Sequence, residues 1–244
     1  MAELDHGFAG KVCAVTGGSG AIGGAIIRAL RDRGAQAISL DVSPPSDSGT
    51  PYLRCDVRDD ASVADALAEI HRIHARLDVL VHAAGVSRDA VVWKLSPEDW
   101  DFVQAVNLRG AFLLVRHGLP LMRRQPSGGR IVLIGSINGS RGKFGTAAYS
   151  ASKAGLIGFA KTVAREGGRF GVTINVVEPG WVRTPLTERV PKDVLEAALA
   201  ESLLGTPLEV DDVAAAVLYL CGESGRRVTG QILRVDGGQF LGPS

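Results

Sequence analysis

The sequence has few cysteines, few aromatic residues and almost no net charge. Of its 244 residues, 5% are aromatic and three are cysteines, Cys13, Cys55 and Cys221. An odd number of scattered cysteines with no CxxC pair argues against a disulfide scaffold and against a zinc site. We therefore expect a reducing compartment, and no metal-binding residues are predicted.

Strong charge and long apolar segments are also lacking. The 27 Lys and Arg residues nearly balance the 26 Asp and Glu residues, which gives a net charge of +1. This balance offers no general electrostatic reason for binding nucleic acid or an anionic membrane. No stretch approaches the ~20 continuous apolar residues of a membrane span, and residues 1–10 lack the apolar core of a signal peptide. The sequence predicts a soluble, cytoplasmic protein.

Glycine and short apolar runs, in contrast, are abundant. The chain contains 31 glycines, and apolar runs of four to six residues alternate with longer amphipathic segments. Strands are predicted at residues 11–16, 36–40, 52–55, 77–82, 130–134, 173–178 and 232–235. Helices are predicted at residues 21–33, 61–75, 97–123, 147–168, 192–203 and 211–221. This alternation predicts an α/β fold, a doubly wound parallel sheet of seven strands, formed by one domain over residues 1–244.

A glycine-rich turn joins the first predicted strand to the first helix. Its sequence is Thr16-Gly17-Gly18-Ser19-Gly20-Ala21-Ile22-Gly23. Glycines let backbone N–H groups approach a pyrophosphate, whose charge the helix N-terminus stabilises. The residues predicted to bind a dinucleotide here are Gly17, Ser19, Gly20, Ala21, Ile22 and Gly23. A βα turn without a ligand is the alternative.

Two acidic residues follow the second and third predicted strands. A carboxylate at Asp41 can accept hydrogen bonds from the ribose hydroxyls of an adenosine and would repel a 2′-phosphate. No basic residue follows until Arg54. The cofactor prediction is therefore NAD(H), with NADP(H) as the alternative. Asp56 and Val57 are predicted to border the adenine, and a surface acid is the alternative interpretation of Asp56.

Tyr149 and Lys153 carry the clearest chemical signal. Side chains four residues apart share one face of a helix. A phenol with a pKa near 10 is a poor base at neutral pH, and a neighbouring ammonium lowers that pKa. Tyr149 could then exchange a proton with an alcohol or ketone oxygen while a hydride moves to or from nicotinamide.

Two further residues are catalytic candidates. Ser136 follows the fifth strand, thirteen residues before Tyr149, and its hydroxyl could hold the substrate oxygen beside the phenol. A turn-forming serine is the alternative. Asn107 lies inside a predicted helix with Gly110 close behind, a pattern that marks a kink and a free carbonyl group.

These motifs, in this order and spacing, resemble the short-chain dehydrogenase/reductase family across essentially the whole chain. The resemblance implies a Rossmann fold in which Tyr149 is the acid/base, Ser136 orients the carbonyl group, Lys153 binds the nicotinamide ribose and tunes Tyr149, and Asn107 holds a water. It also implies cofactor contacts from Ala83, Ala84, Gly85, Pro179, Gly180, Val182 and Thr184. A homotetramer with an interface at residues 228–238 is implied as well.

Two positions depart from the family pattern. Ala21 stands where the second glycine of the turn is usual, and we expect the geometry of the turn to survive. His82, in His82-Ala83-Ala84-Gly85, replaces the first asparagine of Asn-Asn-Ala-Gly. We expect His82 to have a structural role at the end of a strand and no part in the chemistry.

The substrate is predicted from similarity to 3-oxoacyl thioester reductases. The expected reaction is hydride transfer between NAD(H) and a secondary alcohol or ketone, with a 3-hydroxyacyl/3-oxoacyl thioester as substrate. The helical insertion at residues 191–206 is expected to cover that substrate. The alternatives are a cyclic or aromatic alcohol or diol, a quinone and, more remotely, a non-catalytic dinucleotide sensor. Residues predicted to line the pocket are Trp93, Asn138, Phe144, Trp181 and Leu186.

Overall fold

Within the described residues, 7–184 and 192–242 of the computed structural model, seven parallel strands form one sheet. Its order is β3-β2-β1-β4-β5-β6-β7. The strands are β1 (Val12–Thr16), β2 (Gln36–Asp41), β3 (Tyr52–Arg54), β4 (Val79–His82), β5 (Gly129–Ile134), β6 (Val172–Pro179) and β7 (Ile232–Val235). Because the strand order reverses between β1 and β4, a crevice opens at their carboxyl ends.

Helices cover both faces of the sheet. They are α1 (Ala21–Arg31), α2 (Asp60–His74), α3 (Pro97–Gln104), α4 (Gly110–Met122), α5 (Ile137–Arg141), α6 (Ala147–Gly167), α7 (Lys192–Ala200) and α8 (Val210–Cys221). A π-helical turn, Ala105–Arg109, joins α3 to α4. Short 3-10 turns follow α6 and α8 at Gly168–Phe170 and Glu223–Gly225.

The apolar core is divided into two layers by the sheet. On one face, α1 and α8 pack on strand residues such as Val15 and Val81. On the other face, α2, α4 and α6 pack on residues such as Leu80 and Leu133. Successive residues of a strand point to opposite faces, so nearly continuous apolar strands supply both layers. The doubly wound single domain predicted from the sequence is confirmed.

Most element boundaries lie within a few residues of the predictions, with two informative differences. The predicted helix 97–123 begins as expected, since Ser96 caps it by accepting from the backbone N–H of Asp99 at 3.0 Å. It is then interrupted by the π-helical turn at Asn107, where a kink was predicted. The sequence analysis missed α5, because five residues are too few to show helical periodicity.

The cysteines, the membrane-span prediction and the predicted insertion can also be compared with the structure. Cys13, Cys55 and Cys221 are free thiols and all are buried, as small apolar residues would be. Among the described residues, no helix is both long and apolar enough to cross a bilayer. Helix α7 lies within the predicted insertion, and its covering role stays a prediction.

Candidate active site

A cleft of about 540 Å³ opens at the carboxyl ends of β1 to β4. It is lined by Gly17, Gly20, Leu40, Asp41, Val42, Cys55, Asp56, Val57, Arg58, Ala83, Ala84, Gly85, Val86, Phe102 and Val106. Eight of the predicted cofactor-binding residues are in this set. Residues from four separate βα connections meet here because the carboxyl ends of parallel strands lie at the same edge of the sheet.

The glycine turn packs closely on the turn that follows β4. Gly17 has a φ of +67°, and a Cβ atom there would lie 2.6 Å from the backbone nitrogen of Ala84. A Cβ atom on Gly23 would overlap the carbonyl oxygen of Gly17. Both positions thus require glycine.

The N-terminus of α1 has no side-chain cap. Gly20 is the N-cap residue with an extended backbone, and Ala21 and Ile22 begin the helix. The N–H groups of the first turn of a helix have no partner inside the helix and favour an anion. The tight turn and the uncapped helix end therefore fit the pyrophosphate of a dinucleotide, and Ala21 is accommodated as the first residue of α1.

Asp41 is held in place by backbone N–H groups. Its Oδ2 accepts from Ser19 at 3.1 Å, and its Oδ1 accepts from Val42 at 2.7 Å and more weakly from Ser43 at 3.4 Å. A carboxylate has about four lone-pair positions, so capacity remains for a further donor. Asp41 is thereby joined to the glycine turn through Ser19, and the binding of a ribose by Asp41 stays a prediction.

Asp56 is paired with a residue that the sequence analysis did not consider. Arg58 donates to Asp56 from Nε at 2.9 Å and from Nη2 at 2.6 Å. These hydrogen bonds hold the pKa of Asp56 below its usual value. The signal was available, since Arg58 lies only two residues beyond Asp56.

Lys153 projects from α6 into the buried edge of this region. Its Nζ donates to the carbonyl oxygen of Ile134 at 2.7 Å and lies 5.6 Å from the centre of the Tyr149 ring. Burial lowers the pKa of Lys153 to about 8. Gly85 marks the border with the cleft, because a Cβ atom there would lie 3.4 Å from the Lys153 Nζ and 3.6 Å from the Asn107 Oδ1.

Asn107 is fully buried in the π-helical turn. Its Nδ2 donates to the carbonyl oxygen of Val86 at 3.0 Å and to Ser152 Oγ at 2.9 Å, and its Oδ1 accepts from the backbone N–H of Val86 at 2.8 Å. The Ser152 hydroxyl donates in turn to the carbonyl oxygen of Tyr149 at 2.7 Å. Asn107 thus ties α6 to the segment that follows β4.

Ser136 and Tyr149 face each other from α5 and α6. Ser136 is the N-cap of α5, and its Oγ accepts from the backbone N–H of Asn138 at 3.2 Å. A capping oxygen keeps its own proton to donate elsewhere. Burial raises the pKa of Tyr149, and the Ser136 hydroxyl opposes that rise only in part. The lowered phenol pKa expected from Lys153 is therefore not found, because desolvation is the larger effect.

The four catalytic candidates come from the π-helical turn, from the N-cap of α5 and from α6. They are called the Tyr149 cluster below: Asn107, Ser136, Tyr149 and Lys153.

His82, at the end of β4, is fully buried. A hydrogen bond of 3.0 Å joins its Nδ1 to Thr16 Oγ1, which also accepts from the backbone N–H of Ala84 at 3.3 Å. Burial and the charge of Lys153 lower the pKa of His82 to about 3. The expected structural role at the end of a strand agrees with these contacts.

The four residues predicted beside the nicotinamide lie at and beyond the end of β6. Pro179 is the last residue of the strand, and the backbone N–H of Gly180 donates to Val235 at 2.9 Å. Val182 is buried and forms a bridge with Leu208. Thr184 is half-buried at the end of the first described range. They follow β6, two strands from β4 in the sheet, on the Tyr149 side of the cleft.

The residues predicted to line the substrate pocket differ in their surroundings. Trp93 and Phe144 are largely exposed, at 76% and 86%. Asn138 accepts from Arg141 Nε at a long 3.4 Å, and the backbone N–H of Trp181 donates to Gln239 Oε1 at 2.9 Å. Leu186 lies outside the described residues.

Sequence reasoning also missed a polar network around Arg141. Arg141 donates to Glu201 at 2.7 Å and to the carbonyl oxygen of Gln239 at 3.1 Å, and the Gln239 amide reaches Glu201 at 3.1 Å. The partners are 60 and 98 residues away from Arg141 in the chain. No local pattern could reveal them.

Comparison with known proteins decides the family. A family model described as enoyl-(acyl carrier protein) reductase matches residues 17–239. The chain belongs to the short-chain dehydrogenase/reductase family. The resemblance found in the sequence motifs is thereby confirmed, and this short-chain dehydrogenase/reductase is an oxidoreductase whose family uses a nicotinamide dinucleotide.

Relatives within the short-chain dehydrogenase/reductase family include two reductases of thioester substrates by name. The acetoacetyl-CoA reductase of Acinetobacter sp. (strain RA3849) is 38% identical, over 95% of this chain and 98% of the relative. The 3-oxoacyl-[acyl-carrier-protein] reductase of Thermotoga maritima is 36% identical over the same shares. Among solved structures, the Thermoplasma acidophilum aldohexose dehydrogenase matches with a TM-score of 0.92 and 27% identity, over 98% of this chain and 97% of that one.

Proposed function

We propose that this protein reduces a 3-oxoacyl thioester to the 3-hydroxyacyl thioester with NADH as the hydride donor. The observation that carries the proposal is the position of Lys153 beside Gly85, at the border of a cleft that fits a dinucleotide, with the centre of the Tyr149 ring 5.6 Å from the Lys153 Nζ and the Ser136 hydroxyl next to the phenol. When bound, the reduced nicotinamide supplies the hydride.

The protein groups act on the substrate oxygen. The Ser136 hydroxyl, whose oxygen accepts from the Asn138 N–H, donates a hydrogen bond to the carbonyl oxygen and orients it while keeping its own proton. The Tyr149 phenol then gives its proton to that oxygen as the carbonyl carbon is reduced. Because burial raises the pKa of Tyr149, the phenol is protonated at neutral pH. A protonated acid next to the substrate oxygen favours the direction of reduction.

Lys153 and Asn107 support the proton donor. The Lys153 ammonium is fixed by the Ile134 carbonyl group and can stabilise negative charge on Tyr149 after proton transfer. Asn107 fixes the backbone of α6 through Ser152 and is proposed to hold a water that returns a proton to the site. Pro179, Gly180, Val182 and Thr184 are proposed to hold the carboxamide end of the nicotinamide.

The choice of NADH over NADPH is supported by the charge at Asp41. Its carboxylate faces the cleft, and within the described residues no lysine or arginine is paired with it. The nearby Arg58 is bonded to Asp56, whose negative charge compensates that of the guanidinium and weakens its attraction for a 2′-phosphate. Titration of the purified protein with both reduced cofactors tests this choice, and tighter binding of NADPH would overturn it.

The thioester is preferred to a cyclic or aromatic alcohol and to a quinone because the thioester reductases are the relatives of higher identity. The test follows the reduced-nicotinamide absorbance across 3-oxoacyl-CoA thioesters, cyclic ketones, sugars and quinones. We expect the thioesters to give the highest kcat/KM. A quinone or a sugar as the best substrate would contradict the proposal.

Replacing Tyr149 with phenylalanine separates an enzyme from a dinucleotide-binding sensor. Tyr149→Phe removes the proton donor and keeps the ring, so we expect turnover to fall by about 10³-fold while the Kd for NADH changes less than about twofold. Turnover equal to that of the wild type would remove Tyr149 from the mechanism.

The homotetramer stays a prediction, which sedimentation equilibrium can test.

A further inference from the structure

Arg58 lies at the cleft, and its side chain is held by neighbouring residues. It is one of the cleft-lining residues, and its side chain is 47% exposed. Exposed arginines usually sample many conformations, and their ion pairs contribute little to stability. What distinguishes Arg58 from other paired arginines is its place at the cleft, where a held guanidinium can contact a bound ligand.

Contacts of the side chain and of the backbone hold Arg58 in place. Its Nε and Nη2 form a fork on both oxygens of Asp56, and its backbone N–H donates to the same carboxylate at 3.0 Å. The guanidinium carbon lies 5.5 Å from the centre of the Phe102 ring. The carbonyl oxygen of Arg58 accepts a hydrogen bond from Arg109. The guanidinium plane is thus held in one orientation at the edge of the cleft.

The fork leaves a particular kind of surface free. Asp56 takes the Nε–H and one Nη2–H and compensates the charge of Arg58, so the flat face of the guanidinium is the surface that Arg58 offers to an uncharged ligand. Guanidinium planes stack on aromatic rings, and the neighbouring cleft residues Val42, Val57 and Phe102 are apolar. Such a surface suits an uncharged aromatic heterocycle better than a phosphate.

We propose that the guanidinium face of Arg58 stacks on the adenine of the dinucleotide and that Arg58 is therefore a determinant of adenine affinity. The proposal rests on the proposed function only in that a dinucleotide occupies this cleft. In this proposal Arg58 contacts the adenine and does not bind the group at the 2′ position of the ribose. Asp56 has a positioning role, because it orients the guanidinium plane.

The test measures binding of ADP-ribose, which contains the adenine and lacks the nicotinamide. Isothermal titration calorimetry compares the wild type with Arg58→Ala and Arg58→Lys. We expect both variants to bind ADP-ribose and NADH about 5- to 30-fold more weakly, because lysine keeps the charge and lacks the plane. The matched control is Arg72→Ala, which removes an exposed arginine with the same fork on Glu69 away from the cleft. We expect the control to bind like the wild type.

A second measurement ties the effect to the adenine. Reduced nicotinamide mononucleotide has no adenine, so kcat/KM with this donor is expected to be the same in the wild type and in Arg58→Ala. An equal loss with both donors would overturn the proposal by showing a general disturbance. Wild-type affinity in Arg58→Lys, or in Arg58→Ala, would also overturn it.

The outcomes separate this proposal from the proposed function. A loss of affinity in Arg58→Ala that is confined to NADPH would show that Arg58 binds the 2′-phosphate, which overturns stacking. A wild type that prefers NADPH or rejects thioesters would refute the proposed function. The Arg58 proposal would still be supported if Arg58→Ala weakened both dinucleotides equally. A wild type that binds neither dinucleotide nor ADP-ribose would overturn both.

Discussion

The Tyr149 cluster and the Asp41 end of the cleft are built in different ways. Asn107 is fully buried and Lys153 nearly so, and both form hydrogen bonds with other buried groups. Asp41 and Asp56 instead accept from backbone N–H groups and from Arg58 at a surface that is open to solvent. One region is preorganised by burial, and the other by local hydrogen bonds.

We expect the buried region to determine turnover and the solvent-open region to determine cofactor affinity. Where water is excluded, each polar contact is stronger and each charge is more costly, which the pKa values of Lys153 and His82 reflect. Substitutions there should change both turnover and stability. Substitutions at the solvent-open end should change cofactor affinity and leave stability nearly unchanged. Four predictions test this contrast.

The largest expected effect is that of Lys153→Met. Loss of the ammonium beside Tyr149 should lower turnover by about 10²- to 10³-fold. In the wild type, the unfolded chain holds the Lys153 proton more tightly than the folded chain between about pH 8 and the usual value of 10.5. Stability from this group therefore rises with pH across that window, by on the order of 2 kcal/mol between pH 7.5 and pH 10. Urea unfolding of both proteins at the two pH values measures the difference, and parallel behaviour would contradict the prediction.

The next largest effect is expected for Asn107→Ala. It leaves the Val86 N–H and C=O groups without their buried partner and removes the donor to the Ser152 oxygen, so the free energy of unfolding should fall by about 3 kcal/mol. Ser152→Ala is the matched control, since it removes only one of these contacts and should cost about 1 kcal/mol. Urea unfolding at pH 7.5 compares the two. Equal losses would mean that Asn107 is not the centre of the network.

The third prediction concerns His82, whose burial should make the folded protein less stable at acidic pH. Its folded pKa of about 3 lies below the usual value of 6.5, so the unfolded chain binds its proton more readily in that range. Stability from this group is fully present above pH 6.5 and is lost as the pH falls, by about 2 kcal/mol between pH 7 and pH 5. His82→Asn should lack this slope. Unfolding curves at pH 7, 6 and 5 measure it, and the same slope in the variant would refute the assignment to His82.

The smallest energetic effect should be at the solvent-open end. Asp41→Asn removes the negative charge from the cleft and keeps the size of the side chain. The ratio of the Kd values for NADPH and NADH should fall about tenfold because a 2′-phosphate is no longer repelled. The free energy of unfolding should change by less than about 0.5 kcal/mol. Calorimetric titration with both cofactors measures the ratio, and an unchanged ratio would show that Asp41 does not face the ribose.

Much of the fold and of the candidate site could be predicted from local signals. Apolar runs located the strands, the predicted helix start at residue 97 agrees with the start of α3, and the four-residue spacing of Tyr149 and Lys153 placed both on one face of α6. Helix α5 could not be predicted, because its five residues are stabilised by the Ser136 cap and by packing on α6. The Arg141 network was missed because its partners are distant in sequence.

The sequence by itself determined the order of strands and helices, the requirement for glycine at the first turn, and the types of group available for proton transfer. These depend on periodicity, backbone conformation and side-chain chemistry, which are local properties. Only the tertiary structure decided the directions in which the pKa values of Tyr149 and Lys153 are shifted, the orientation of Asp41 and the pairing of Arg58 with Asp56. Burial and the direction of neighbouring N–H groups arise when separate βα units come together, and a linear pattern does not contain them.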